Sequence, residues 1–344
     1  MSGNGILSAS PGEIVREGRL LYRSESGALP KSFVSAISAV LLFFWFLVPA
    51  PGAGCTPDGD FDFHLSSGYR LGGLRWNIAQ VGGTPNILSE LTWSKLQILQ
   101  IEGEGQLNIE GFTIRAAAGY GLVLAGDVQD SDYDSDDRTD EFSRSYSEAK
   151  GGYLLHALTG LGYRFDLRSA PIALLPMIGI AFHRQAMAMT DGEQVIEDTF
   201  ELPSRTPLRG PIDGLDSSYT ANWLNIWIGL DAEYRITSRL SAGAAVSVHP
   251  SLYYAEADWN LRINLAHPVS FVHKTLGLGF RGELSVGFEL SRRWFLEGRI
   301  GLETWFGGPG VDETFSAVGG SVETRLNEVV WNSAQFCLGT VLRL

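Results

Sequence analysis

Over most of its length the chain alternates apolar and polar residues with a period of two. Phe61, Phe63, Leu65, Tyr69 and Leu71 alternate with Asp62, His64, Ser66, Gly68 and Arg70, and Phe280, Leu284, Val286, Phe288 and Leu290 with Arg281, Glu283, Ser285, Gly287 and Glu289. Further on, Trp294, Leu296, Ile300, Leu302 and Phe306 repeat the pattern, and so do Phe336, Leu338, Leu342 and Leu344 at the end of the chain. Such alternation places successive side chains on opposite faces of a strand, whereas after Cys55 no segment longer than two turns carries the 3.6-residue period of a helix. The composition agrees, since 41 Gly, 18 Phe, 11 Tyr and 9 Trp suit pleated, aromatic-rich strands better than helices. An ordinary apolar fraction of 44% excludes disorder, and two cysteines in 344 residues exclude a disulfide scaffold.

The connections between these stretches separate two architectures that both alternate. Tight connections fall at 108–111, 166–170, 237–239 and 291–293, and wide polar ones at 80–86, 130–150, 191–217, 261–268 and 307–320. Short and long follow each other strictly, which implies ten antiparallel strands, an even number with both chain ends on the short-turn side, as in bacterial outer-membrane barrels. Stretches such as 112–125, 222–236 and 276–290 exceed the five or six residues usual in soluble sheets and suffice for tilted membrane strands. Trp76, Trp93, Trp223, Trp227, Trp294 and Trp331 lie near strand ends, where an interfacial girdle is expected. The competing architecture is a soluble, secreted β-sandwich whose tryptophans are core. The fold expected is therefore all-β, a ten-stranded antiparallel transmembrane barrel with five long extracellular loops.

Residues 34–50, VSAISAVLLFFWFLVPA, form the only long apolar run, preceded by Lys31 and followed by Pro51-Gly52-Ala53-Gly54. This is the layout of a cleaved secretory signal peptide within residues 1–54, behind an atypical polar leader, and it leaves residues 55–344 as the barrel. Cys55 and Cys337 are the two cysteines. Removing the four bases and three acids of residues 1–54 leaves 22 bases against 36 acids, so the formal charge of -13 becomes -14. That balance excludes electrostatic binding of nucleic acid. The partners expected are outer-membrane lipid, lipopolysaccharide and basic peptides.

Nine of those acids crowd into residues 127–150, DVQDSDYDSDDRTDEFSRSYSEAK, against Arg138, Arg144 and Lys150. Mutual repulsion in such a cluster raises carboxylate pKa values unless cations compensate. The plainest reading is a solvated extracellular loop. A second is weak calcium binding: Asp130, Asp132, Asp134 and Glu141 stand at positions 1, 3, 5 and 12 of an EF-hand-like loop, although Ser135 replaces its glycine and the flanks read as strands. No other cofactor is implied. A third reading is activation of water by paired aspartates, which needs a base across the site.

The ten-strand layout, Ser89-Glu90-Leu91-Thr92-Trp93 after the first long loop and Asp130-Ser131-Asp132-Tyr133 at the rim of the third strand resemble the omptins, outer-membrane aspartyl proteases. The resemblance implies an endoprotease acting at basic residues, with Asp130 and Asp132 as its aspartate pair and Asp258 as the aspartate of an Asp-x-His dyad on the seventh strand. An ungapped match of 240–260 puts Asn260 where the histidine belongs, and an asparagine cannot take the proton. His267 and His273 follow in the next loop and strand. Leu344 also replaces the aromatic residue that usually ends such barrels. The chain further resembles the Protochlamydia outer membrane proteins, through Asp130-Ser131-Asp132-Tyr133, Arg138-Thr139, Glu141-Phe142-Ser143-Arg144-Ser145, the segment AEADWNLR at 255–262 and TRLNE at 324–328. Some members of that group are regarded as porins.

Other signals are short. The GxGxxG at 277–282 lies inside an alternating strand, so glycine packing explains it better than a dinucleotide site. No HExxH, Walker loop, GxSxG or CxxC occurs, and His64, His156, His183 and His249 are scattered singly as wall residues. Eight strands give an interior filled by side chains, and wide pores need about sixteen, so ten strands imply a narrow lumen, crowded further by Arg281, Glu283, Glu289, Glu297, Arg299 and Glu303. The function expected is that of a non-proteolytic outer-membrane barrel, either a narrow cation-preferring channel or a surface binding and structural protein, with the omptin-type endoprotease as the alternative.

Overall fold

The structure, a computed structural model, describes residues 59–198 and 208–344; the leader, the apolar run and Cys55 lie outside the described residues. In chain order the strands are β1 (Gly59–Ile78), β2 (Ser89–Ile109), β3 (Phe112–Ser135), β4 (Thr139–Glu148), β5 (Tyr153–Tyr163), β6 (Phe165–Asp166), β7 (Ile172–Ile196), β8 (Gly210–Arg235), β9 (Leu240–Asp258), β10 (Phe271–Glu289), β11 (Trp294–Gly307), β12 (Gly310–Phe315) and β13 (Ser321–Arg343). β4 and β5 both run between β3 and β7, so with β6 they are successive pieces of one stave, as β11 and β12 are between β10 and β13. β1 pairs β13 antiparallel from Asp62 opposite Arg343 to Trp76 opposite Val329. That pairing closes the ring, and the staves number ten, as the sequence implies.

One end of the ring, the base, carries the four short turns and both ends of the described barrel. The β2–β3 turn is only Glu110-Gly111, whose φ values of 49° and 86° make it a primed hairpin turn that matches strand twist. The other end, the rim, carries the five wide connections. Three of the wide connections are largely strand: β3 and β4 continue to a three-residue turn at Asp136–Arg138, β7 and β8 reach Ile196 and Gly210, and β12 fills 310–315. Aromatic residues recur within these polar stretches and anchor them, as where the Tyr133 hydroxyl donates to Glu90 Oε1 at 2.7 Å. A strand of 25 residues such as β7, rising about 3.3 Å per residue and tilted by about 45°, stands roughly 58 Å tall against an apolar band of about 25 Å. The rim half of the barrel therefore projects into water.

Strand parity fixes what each face meets. On β9 the even positions Val246, Val248, Leu252 and Tyr254 are exposed on the outer face, and the odd positions His249, Ser251, Tyr253, Ala255 and Ala257 are buried in the lumen. The same rule overturns the aromatic girdle. Trp76, Trp93, Trp223, Trp227 and Trp331 all point inward and are at most 5% exposed, and Trp294 alone of the six faces outward, at 48%. In the projecting half the inner face is itself apolar, because walls this close together exclude water. Leu74, Leu91 and Leu96 pack with Trp93, Trp223, Trp305 and Trp331 into one core that fills the lumen. Gly279 on β10 lies flat against the Trp305 ring, where any Cβ would collide.

Candidate functional site

Beneath the apolar core the lumen is crossed by a layer of paired charges. Arg70 on β1 donates through Nη1 to Glu303 at 2.5 Å and to Ser333 at 3.0 Å, through Nε to Gln100 at 2.8 Å, and through Nη2 to Gln335. Arg299 meets Glu102 at 3.0 Å, Arg281 meets Glu283 at 2.9 Å, and His156 meets Glu102 at 2.8 Å. The charged residues read as luminal from the sequence are thus luminal, and all but Glu289 are paired with opposite charges. With the core above, this layer lines the lumen with packed and paired side chains.

At the rim, Asp130 and Asp132 share the inward face of β3 with Val128, directly above the core, with Asp130 opposite Leu91 of β2 and Ser145 of β4. Shielding from water and the neighbouring Asp132 carboxylate push the Asp130 carboxyl well above its usual range, and Arg262 from the β9–β10 loop opposes the shift. The other residues of the calcium reading do not join them. Glu141 lies opposite Tyr133 on the outer face, where Arg144 donates to both its oxygens, and Asp134 sits at the exposed tip. Among the described residues no group of three or more His, Cys, Asp or Glu side chains is arranged to hold a metal ion. The tip itself is tied down, since the Asn86 backbone N–H donates to Asp136 at 2.7 Å, its side-chain amide to Asp137 at 2.9 Å, and Arg138 donates to Glu90 at 2.8 Å.

The third residue of the aspartate reading is also placed apart. Asp258 has the parity of Tyr254 and Glu256, so it stands on the outer face of β9, away from the inward Asp130 and Asp132. The loop folds back beside it, and His267 Nδ1 lies 2.6 Å from its Oδ1. Asn260 is a clamp: its Oδ1 accepts from the Asp216 backbone N–H and the Ser217 hydroxyl, both at 3.0 Å, and its Nδ2 donates to the Gly214 carbonyl at 2.8 Å. A group with two accepted bonds and one donated bond suits a primary amide, and an imidazole could not replace it there.

Sequence reasoning missed a buried polar chain inside the apolar core. The Tyr253 and Tyr219 hydroxyls are 2.6 Å apart, Tyr219 is 2.8 Å from His273 Nδ1, His273 Nε2 is 3.2 Å from Asp312, and Thr324 donates to Asp312 at 2.9 Å. The imidazole edge meets Trp76, with ring centroids 4.8 Å apart. His273 is fully buried and Asp312 is 1% exposed, so this chain binds five segments of the projecting half together and is closed to solutes. Its members come from β8, β9, β10, β12 and β13, and only their inward parity could have suggested it.

One solved barrel shares this fold. The outer membrane protease OmpT from Escherichia coli superposes with a TM-score of 0.70 at 14% identity, over 84% of this chain and 98% of that one. The translocator domain of the autotransporter NalP from Neisseria meningitidis matches with a TM-score of 0.37 at 10% identity, over 91% and 98%. At 14% identity the first likeness is one of fold. No curated protein sequence matches the chain. The Protochlamydia outer membrane protein family, in contrast, matches over residues 64–342, nearly the whole barrel. The chain belongs to the Protochlamydia outer membrane protein family, with an omptin-like barrel as its fold.

Proposed function

We propose that the protein is a sealed, non-proteolytic outer-membrane barrel that works at the cell surface as a binding and structural protein through its acidic rim. The observation that carries this reading is the apolar core in the projecting half: Trp93, Trp223, Trp305 and Trp331 are at most 1% exposed and stand where a conducting lumen would need water. The charged layer beneath it supports the same conclusion. The acidic β3–β4 hairpin supplies a surface that favours basic polypeptides, whose encounter a concentrated negative field would accelerate. Conductance of the refolded protein in planar bilayers tests the closure: no single-channel steps are expected, and regular steps would reinstate the channel.

The protease reading retains one favourable observation, the Asp258–His267 pair at 2.6 Å, but that pair sits on the outer face while the paired aspartates point inward. A fluorogenic peptide containing two adjacent basic residues should remain uncleaved. Cleavage by the wild type that is abolished by Asp132→Ala would overturn the non-proteolytic reading.

A further inference from the structure

Below the charged layer the lumen widens into a polar cavity of about 740 Å³ that reaches the base turns. It rests on the sealed lumen proposed above that this vestibule is blind, open toward the periplasm alone. Its other arginines are matched: Arg115 lies 2.6 Å from Asp231, Arg164 3.3 Å from Glu233, Arg299 3.0 Å from Glu102, and Arg343, beside the β10–β11 turn, 2.8 Å from Asp62. Arg235, Arg239 and Arg292, which line its mouth, have no carboxylate within 4.0 Å among the described residues. They come from one sector. Arg235 ends β8 with inward parity, Arg239 belongs to the β8–β9 turn, and Arg292 to the β10–β11 turn, and β9 pairs β10 from Leu240 opposite Phe288. The Glu289 backbone N–H donates to the Arg239 carbonyl at 2.8 Å, which locks the two turns side by side. Among the described residues that line the cavity, the carboxylates with no base within 4.0 Å are Glu289 in this sector and Asp60 on β1, two staves beyond β11.

We propose that this vestibule is a binding site for a small anion with carboxylate or phosphate groups, held by Arg235, Arg239 and Arg292 and reached from the periplasm. Guanidinium groups are planar forks that grip carboxylates and phosphates through two parallel hydrogen bonds, and three of them on a concave wall select a ligand with more than one such group. The cavity is large enough for a molecule of that kind, and the blind end makes it a place of retention and not of passage.

The test uses the full barrel refolded in phospholipid-free detergent, with titration calorimetry of citrate and of pyrophosphate. At least one probe should bind, and the affinity should fall by about tenfold or more in the Arg235→Gln/Arg239→Gln/Arg292→Gln variant. It should hold in Arg168→Gln/Arg293→Gln, which removes base arginines that do not line the vestibule. Heat-modifiable gel mobility checks that each variant is folded. The proposal falls if neither probe binds, if the triple variant binds like wild type, or if the control loses as much. It also falls if only vesicles of phosphatidylglycerol are bound, since the arginines would then be ligands of the lipid surface. Conductance steps in a planar bilayer would remove the closure while leaving an arginine-dependent anion site in place, so the two failures are distinguishable.

Discussion

Breaking the pair at the centre of the charged layer should expose how much the barrel depends on it. Arg70 and Glu303 are 4% and 8% exposed, 2.5 Å apart, and Arg70 also donates to Gln100, Ser333 and Gln335. In Arg70→Met the methylene stem is kept, but Glu303 loses its nearest counter-charge and three polar groups lose a donor. Removing one partner of a buried pair costs about 3–5 kcal/mol, which at roughly 2 °C per kcal/mol lowers the unfolding midpoint by about 6–10 °C. Glu303→Gln should be damaging for the complementary reason, as it strands Arg70. In the double variant neither charge is left alone, so at least about 2 kcal/mol of the summed loss should return. The midpoint is read from heat-modifiable gel mobility of barrels refolded in one detergent. If the double variant is as unstable as the sum of the two singles, or if Arg70→Met melts within about 1 °C of wild type, the layer is not the coupled unit described.

Three further outcomes follow from the same geometry. Trp331→Ala should cost about 3–5 kcal/mol by opening a cavity in the core, whereas Trp294→Ala, at the lipid face, should cost about 1 kcal/mol or less, both read as shifts in the same midpoint. Because the fold raises the Asp130 pKa, its contribution is fully present below the unfolded-state value and is lost as pH rises through the folded-state value. Wild type should therefore gain stability on acidification relative to Asp130→Asn, and equal slopes of midpoint against pH would refute this. Asn260→His should loosen the β9–β10 loop by about 1–3 kcal/mol and still leave a basic peptide uncleaved, which limited proteolysis and the fluorogenic assay would report.

The fold was legible because both of its determinants are local. Period-two alternation marks the staves, and the strict exchange of short and long connections counts them. What alternation does not reveal is which face is inside when both are apolar, and this is why the tryptophans looked like a girdle. Trp223 and Trp227 alternate with Leu224, Ile226 and Ile228, and only the closed ring decides that the tryptophans take the lumen. For Asp258 the decisive signal was present: counting in twos from Val246 and Val248 reaches Leu252, Tyr254, Glu256 and Asp258, all on one face. Matching by motif without counting parity placed it on the wrong wall. The β3–β4 hairpin read as a loop because its charges masked the alternation of Val128, Asp130 and Asp132 with Gln129, Ser131 and Tyr133. The Tyr219–His273–Asp312 chain was beyond reach, since its members lie far apart in sequence and meet only when the barrel closes.

The contacts of Arg70 also bear on how the ring is shut without error. The closing seam joins the first and last strands, and sliding β1 by two residues against β13 would keep every side chain on its proper face, so hydrophobic patterning alone cannot reject that mistake. The slip would carry the guanidinium about 7 Å from Gln335, its register partner, and from Glu303 on the next stave. Two buried charges would then be orphaned at once, a defect of several kcal/mol. One arginine thus acts as a proofreading key: it accepts a single alignment of the two ends of the chain and makes the neighbouring one too unstable to persist.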